Sequence, residues 1–168
     1  MQRIMIIGSP GSGKSTLART LGERLDLPVF YMDKEIHWLP GWVARPEEEK
    51  PSIVARIVAN EKWVFEGSHS KTYQLRAARA DVLIWLDVPI SLRLYRIVWR
   101  AVRDRGHVRS DMHEDCPERL DMLPEFIRFI LRTRRSTRQK QQALFDEAMC
   151  PKFRLTTLGS VRTFLGSL

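Results

Sequence analysis

The sequence predicts an α/β sandwich, a parallel sheet covered by helices on both faces. Two observations carry that prediction. Apolar runs of strand length alternate with longer segments of helical periodicity along the whole chain. The first such run leads directly into a glycine-rich loop and an amphipathic helix. The 168 residues, 43% of them hydrophobic, can bury a sizeable core, and residues 1–168 are expected to form a single domain.

Arg3-Ile4-Met5-Ile6-Ile7 opens the chain as a short apolar, β-branched run, the composition of a strand buried on both faces. Gly8-Ser9-Pro10-Gly11-Ser12-Gly13-Lys14-Ser15 then fits G-x-x-x-x-G-K-[ST] without a mismatch. The three glycines put no Cβ in the way, so successive N–H groups can turn inward around phosphate oxygens. Leu17, Leu21 and Leu25 follow at a spacing of four, and the helix they mark adds its positive end to the cradle. Lys14 is therefore expected at the β and γ phosphates of a nucleoside triphosphate. The Ser15 hydroxyl is expected in the shell of Mg²⁺, with Thr16 next to it on the helix.

Pro28–Tyr31 reads as the second strand, and a helix is expected from about Glu47 to Asn60 with Pro51 near its first turn. Trp63–Glu66, ending at Gly67, is the third strand and Val82–Leu86 the fourth. Ile90–Arg103 and Glu118 to about Ala148 read as helices, with Pro124 in a first turn or at a kink. Arg154–Thr157 is the fifth strand, and a last helix starts near Ser160. In such a sheet, ligands collect at the carboxyl ends of the strands. Asp33, Glu66 and Asp87 lie at those ends, where a carboxylate holds Mg²⁺, usually through water, or takes a proton from a hydroxyl. Asp87 sits where proteins with this loop keep a metal-binding aspartate.

The net charge of +8 is unevenly spread: between Arg93 and Arg138 lie twelve arginines and no lysine, against seven acids. Arginine suits forked phosphate contacts, so this stretch reads as a phosphate-handling surface or, more simply, as a solvated helix; charge alone leaves a nucleic-acid partner open. No apolar stretch approaches the ~20 residues of a membrane span, and the first strand starts almost at the first residue. No membrane anchor or signal peptide, and a cytoplasmic location, are the expectation. Cys116 and Cys150 form no metal or redox pattern, and His107, His113 and Cys116 lack a fourth zinc ligand of the usual type.

A family resemblance rests on several of these segments together. Asp81-Val82-Leu83-Ile84-Trp85-Leu86-Asp87-Val88-Pro89, followed by Arg96 and Arg100, resembles the D-x-P and R-x-x-x-R segment of adenylate kinase and its nucleoside monophosphate kinase relatives. Asp33 with His37-Trp38-Leu39-Pro40-Gly41-Trp42, then Trp63-Val64-Phe65-Glu66-Gly67-Ser68, more closely resembles the small P-loop proteins called FlaR-like or DNA topology modulation proteins. The resemblance implies a P-loop NTPase three-layer sandwich whose five-stranded parallel sheet has the order 2-3-1-4-5. It also implies an acceptor site over the second and third strands and a short helical lid at about residues 104–117, hinged at Gly106.

In that family Arg96 and Arg100 would face the phosphates, Arg132 and Arg135 would come from the next helix, and Gly159 and Ser160 would lie beside the adenine. Arg134 and Arg138 share that helix, and which face points inward is open. The implied activity is an ATP-dependent phosphotransferase, with Asp33 orienting or deprotonating a small-molecule acceptor. The chain departs from the nucleotide kinases at Ser68-His69-Ser70, where they carry an aromatic-Pro-Arg segment that grips an acceptor phosphate. The aromatic residues Trp38 and Trp42 suit either stacking on a substrate or a satellite cluster under a loop. Two rival activities share the motif set: a nucleic-acid-binding ATPase and a 5′-hydroxyl polynucleotide kinase.

Overall fold

The computed structural model describes residues Met1–Leu168. Its strands are β1 (Arg3–Gly8), β2 (Val29–Tyr31), β3 (Trp38–Leu39), β4 (Val43–Ala44), β5 (Trp63–Glu66), β6 (Val82–Leu86) and β7 (Lys152–Leu155). Five of them form one parallel sheet of order β2-β5-β1-β6-β7, while β3 and β4 pair antiparallel outside it. With the hairpin set aside, this is the expected 2-3-1-4-5 order.

Side chains alternate across the sheet, and each face has its own core. Met5, Ile7, Phe65, Leu83 and Trp85 point to one side, under α2 (Lys50–Ala59), α3 (Tyr73–Ala77) and α5 (Leu123–Glu147). Ile4, Ile6, Val64, Val82 and Ile84 point to the other, against α1 (Lys14–Leu25) and α6 (Leu158–Gly166). Ile4 to Ile7 are fully buried, which explains why β1 reads as continuously apolar rather than alternating. Each such side chain contributes about 1.5–3 kcal/mol by leaving water.

The remaining helix, α4 (Ile90–Arg103), buries Arg93 together with Ile97 and Ala101 and leaves Tyr95, Val98, Trp99 and Val102 exposed. Its inner face meets the phosphate loop rather than an apolar core, and this accounts for arginine on the inside.

Several boundaries differ from expectation, each for a local reason. α2 starts at Lys50 rather than Glu47, with Pro51 in its first turn and Glu47 held outside by Lys50 and Lys71. α5 starts at Leu123 rather than Glu118, again with its proline in the first turn; Glu118 is bridged to Arg105. β7 lies two residues early because Thr157 leaves the sheet to cap α6, accepting a hydrogen bond from Ser160 N. Residues 104–117 form turns and two isolated bridges rather than a helix. A π-helical turn at Asp33–His37 had no signal in the sequence. No helix is long and apolar enough to cross a membrane.

Candidate active site

The phosphate loop is shaped by its own backbone and closed from outside by α4. Ser12 N donates to Ser9 O at 3.2 Å, and α1 begins at Lys14. Gly11 has φ +77°, and a Cβ there would lie 2.6 Å from the Arg93 carbonyl oxygen, so glycine is what lets α4 approach. From that helix Arg96 donates to Ser12 O at 3.2 Å, and Arg93 reaches Pro10 O at 3.5 Å. Lys14 folds back over the loop to Ser9 O at 3.4 Å. Thr16 is exposed on the first turn of α1.

Ser15 Oγ donates to Glu66 Oε1 at 3.3 Å, and the second Glu66 oxygen is buried without a partner. Burial pushes the Glu66 carboxyl up to about 7; Lys14 opposes the rise, while Asp33 and Asp111 add to it. A hydroxyl beside an under-partnered carboxylate fits Mg²⁺, which takes few protein ligands and completes its shell with water and phosphate. No group of three or more His, Cys, Asp or Glu forms a cluster that could hold a metal by itself.

Asp87 does not share that environment. Arg138 and Arg154 ion-pair with its carboxylate at 3.0 and 2.5 Å, and both guanidinium groups lie over the Trp85 ring. Burial alone would raise its pKa, but the two arginines outweigh burial and hold it below the usual carboxylate range. The expectation of a metal-binding Asp87 therefore meets a carboxylate already occupied by side chains from α5 and β7.

Asp33 has the opposite character: it is exposed, opens the π-turn after β2, and makes no side-chain hydrogen bond or ion pair. Gly67 brings it near Glu66. With φ +122°, Gly67 lets the chain leaving β5 lie against Met32, whose Cβ would be 2.1 Å from a Cβ at position 67.

The hairpin beyond the π-turn is latched to residues 115–117. Gly41 N donates to Asp115 O at 3.2 Å, Trp42 N to Cys116 Sγ at 3.4 Å, and Trp42 Nε1 to Pro117 O at 3.1 Å. Trp38 and Trp42 pack edge to face at 5.4 Å, and both remain partly exposed. Trp42 holds φ +61°, a strained backbone for a bulky residue. Beneath the hairpin, the rings of His37 and His69 meet edge to face at 5.3 Å, and burial pushes both imidazoles down.

Arg100, expected at the phosphates, ion-pairs with Glu118 at 2.9 Å; Arg109 pairs with the same carboxylate at 2.9 Å and with Asp111 at 3.1 Å. On α5, Arg134, Arg135 and Arg138 line a cavity of about 400 Å³ together with Ser9, Asp87 and Arg93. Arg132 is exposed and is not among the residues lining that cavity. Gly159 and Ser160 lie in the first turn of α6, where the Ser160 hydroxyl is engaged with Thr157. The sequence offered no motif for Arg109, Asp111 or Glu118, nor for Gln141, which is buried beside the phosphate loop.

No family model matches the chain. It is similar to the shikimate kinase of Baumannia cicadellinicola subsp. Homalodisca coagulata, with 32% identity over 111 residues. That alignment covers 56% of this chain and 63% of the kinase, so the chain spans less than two thirds of its relative. Among solved structures it is similar to the shikimate kinase of Bacteroides thetaiotaomicron, with TM-score 0.61, 16% identity and 99% of each chain covered. The shikimate kinase of Acinetobacter baumannii, solved in complex with shikimate, gives TM-score 0.56 and 17% identity over 99% of this chain and 90% of that one. At such identities the likeness is one of fold, and the fold is that of the P-loop kinases.

Proposed function

We propose that this chain transfers the γ-phosphoryl group of Mg-ATP to a hydroxyl of a small acceptor, with shikimate or a hydroxy acid of similar size the first candidate. The observation that carries the reading is Asp33, a carboxylate without a partner on the acceptor side of a formed phosphate loop. In the reaction the acceptor oxygen forms a bond to the γ-phosphorus, the bond from that phosphorus to the β–γ bridging oxygen breaks, and ADP leaves. The hydroxyl proton passes to Asp33.

Lys14, Arg96 and the arginines lining the cavity on α5 neutralise charge as it spreads over the transferring group. Ser15 and Glu66 would hold Mg²⁺, which supplies charge neutralisation at the phosphates when bound. Within the P-loop kinases, the Asp33 to Trp42 segment and Ser68-His69-Ser70 favour the FlaR-like branch over the nucleotide kinases. The first-choice acceptor follows from the names of the similar proteins.

The test is ADP release from Mg-ATP with shikimate, sugars, nucleosides, nucleotides and oligonucleotides as acceptors, with Lys14→Ala as control. Release stimulated by a small hydroxyl compound and reduced on the order of 100- to 1,000-fold in Lys14→Ala supports the reading. Stimulation by oligonucleotides alone overturns it in favour of a nucleic-acid enzyme.

A further inference from the structure

Gln141 is 1% exposed, lies on the helix that follows the 104–117 segment, and is bonded to three separate parts of the molecule. Its Oε1 accepts from Trp85 Nε1 of β6 at 3.2 Å and from Ser9 Oγ of the phosphate loop at 3.5 Å. Its Nε2 donates to Ser68 Oγ at 3.1 Å. Ser68 Oγ in turn donates to the Gly8 carbonyl at 2.9 Å.

The direction of each bond follows from the chemistry of the groups. Indole N–H can only donate, so the Gln141 oxygen must face Trp85 and its amide must face Ser68. With the Gln141 amide donating to Ser68, the serine hydroxyl turns its own proton onto Gly8 O. One amide thus orders a chain from β6 through α5 and the turn after β5 to the first residue of the phosphate loop. The same turn is held from its other side by Arg76, fully buried, which donates to Gly67 O at 2.9 Å.

We propose that Gln141 is a positioning residue that holds the acceptor turn at Ser68 and the phosphate loop at Gly8 and Ser9 in fixed relation. The proposal rests on the phosphotransferase reading, because the two segments so joined are its acceptor and donor sides. Gln141 touches neither substrate; it acts through Ser68 and Ser9. In-line transfer is sensitive to displacements of about 1 Å, which cost on the order of 100-fold in rate, so loosening the join should lower turnover more than nucleotide binding.

Gln141→Glu keeps the shape and the acceptor oxygen but loses the donor, and the Ser68 proton is then free to turn from Gly8 to the carboxylate. Ser68→Ala removes the middle of the chain with little change in volume. In variants that retain a cooperative melting transition, we expect kcat to fall at least about 10-fold with KM for ATP within about 2-fold, and the double variant to be no worse than the poorer single one. Unchanged kcat in folded variants, or losses that multiply in the double variant, would overturn the proposal.

A second readout needs no acceptor. The Trp85 indole N–H resonance, identified by its loss in Trp85→Phe, should shift on addition of Mg-ATP in the parent protein and not in Gln141→Glu. An equal shift in both, or none in the parent, overturns the role of Gln141. Absence of turnover with every acceptor tested bears instead on the phosphotransferase reading.

Discussion

At the scale of single residues, the site is a set of carboxylates sorted by their neighbours. Asp87 is clamped by two arginines, Glu66 is buried with one oxygen free, and Asp33 is exposed without a partner. That sorting assigns them different work. Asp33→Asn is expected to lower kcat by about 100- to 10,000-fold while the affinity for ATP, measured by titration calorimetry, stays within a few-fold. An equal loss of both would move Asp33 to the nucleotide side.

Glu66 gives a pH prediction whose sign is opposite to that of an ordinary salt-bridged acid. Its pKa rises from 4.5 unfolded to about 7 folded, so between those values the folded state binds more protons than the unfolded one. Stability contributed by this group is complete below pH 4.5, falls as pH rises through that window, and is lost above 7. Glu66→Gln should therefore raise the denaturant-unfolding free energy at pH 8 by roughly 1–3 kcal/mol and leave it nearly unchanged at pH 4.5. The same variant should raise the Mg²⁺ concentration needed for half-maximal turnover.

At the scale of elements, position is set where two backbones nearly touch. The turns after β2 and β5 meet at Met32 and Gly67, and only a glycine allows it. Gly67→Ala must both strain φ and displace Met32, and should destabilise the protein by about 2 kcal/mol or more in chemical denaturation, with turnover lost even in the folded fraction.

Asp87 shows an element-level role of another kind, tying α5 and β7 to the end of β6. Asp87→Asn should cost about 1–2 kcal/mol in the same assay, a figure kept small because Arg138 and Arg154 are partly exposed, and should leave the Mg²⁺ requirement unchanged. A large rise in the Mg²⁺ concentration needed for half-maximal turnover would make Asp87 a metal residue after all. α4 completes the picture: Arg93 and Arg96 face inward, where the loop offers carbonyl groups to which they donate.

At the scale of the whole molecule, seven of the twelve arginines between Arg93 and Arg138 are engaged within the fold, although such contacts leave the net charge of +8 unchanged. Of the arginine-rich stretch, Arg100, Arg103, Arg109, Arg119 and Arg138 are ion-paired, and Arg93 and Arg96 bond the phosphate loop. Duplex DNA should accordingly bind only weakly and without sequence preference, with affinity falling steeply between about 50 and 200 mM salt in a fluorescence-anisotropy titration. Binding that persists at high salt would restore the nucleic-acid reading.

What the sequence determined by itself is local or periodic. The apolar runs at residues 3–7, 63–65 and 82–86, the phosphate loop and the leucine spacing of α1 each depend on neighbours within a few positions, and all of them appear where expected. The sheet order came through resemblance, and it too holds.

What only the tertiary structure decided depends on partners far apart in the chain. Asp87 reads as a metal ligand until Arg138 and Arg154, 51 and 67 residues away, are seen to hold it. Gln141 has no motif, yet it joins Ser68 across 73 residues and Ser9 across 132. Nothing in the sequence of the aromatic hairpin shows its latch, in which Pro117 accepts the Trp42 indole N–H across 75 residues. The physical reason is common to all three: a side chain's chemistry is set by what surrounds it, and in a parallel sheet the elements brought together at the strand ends are separated in sequence by whole crossover helices.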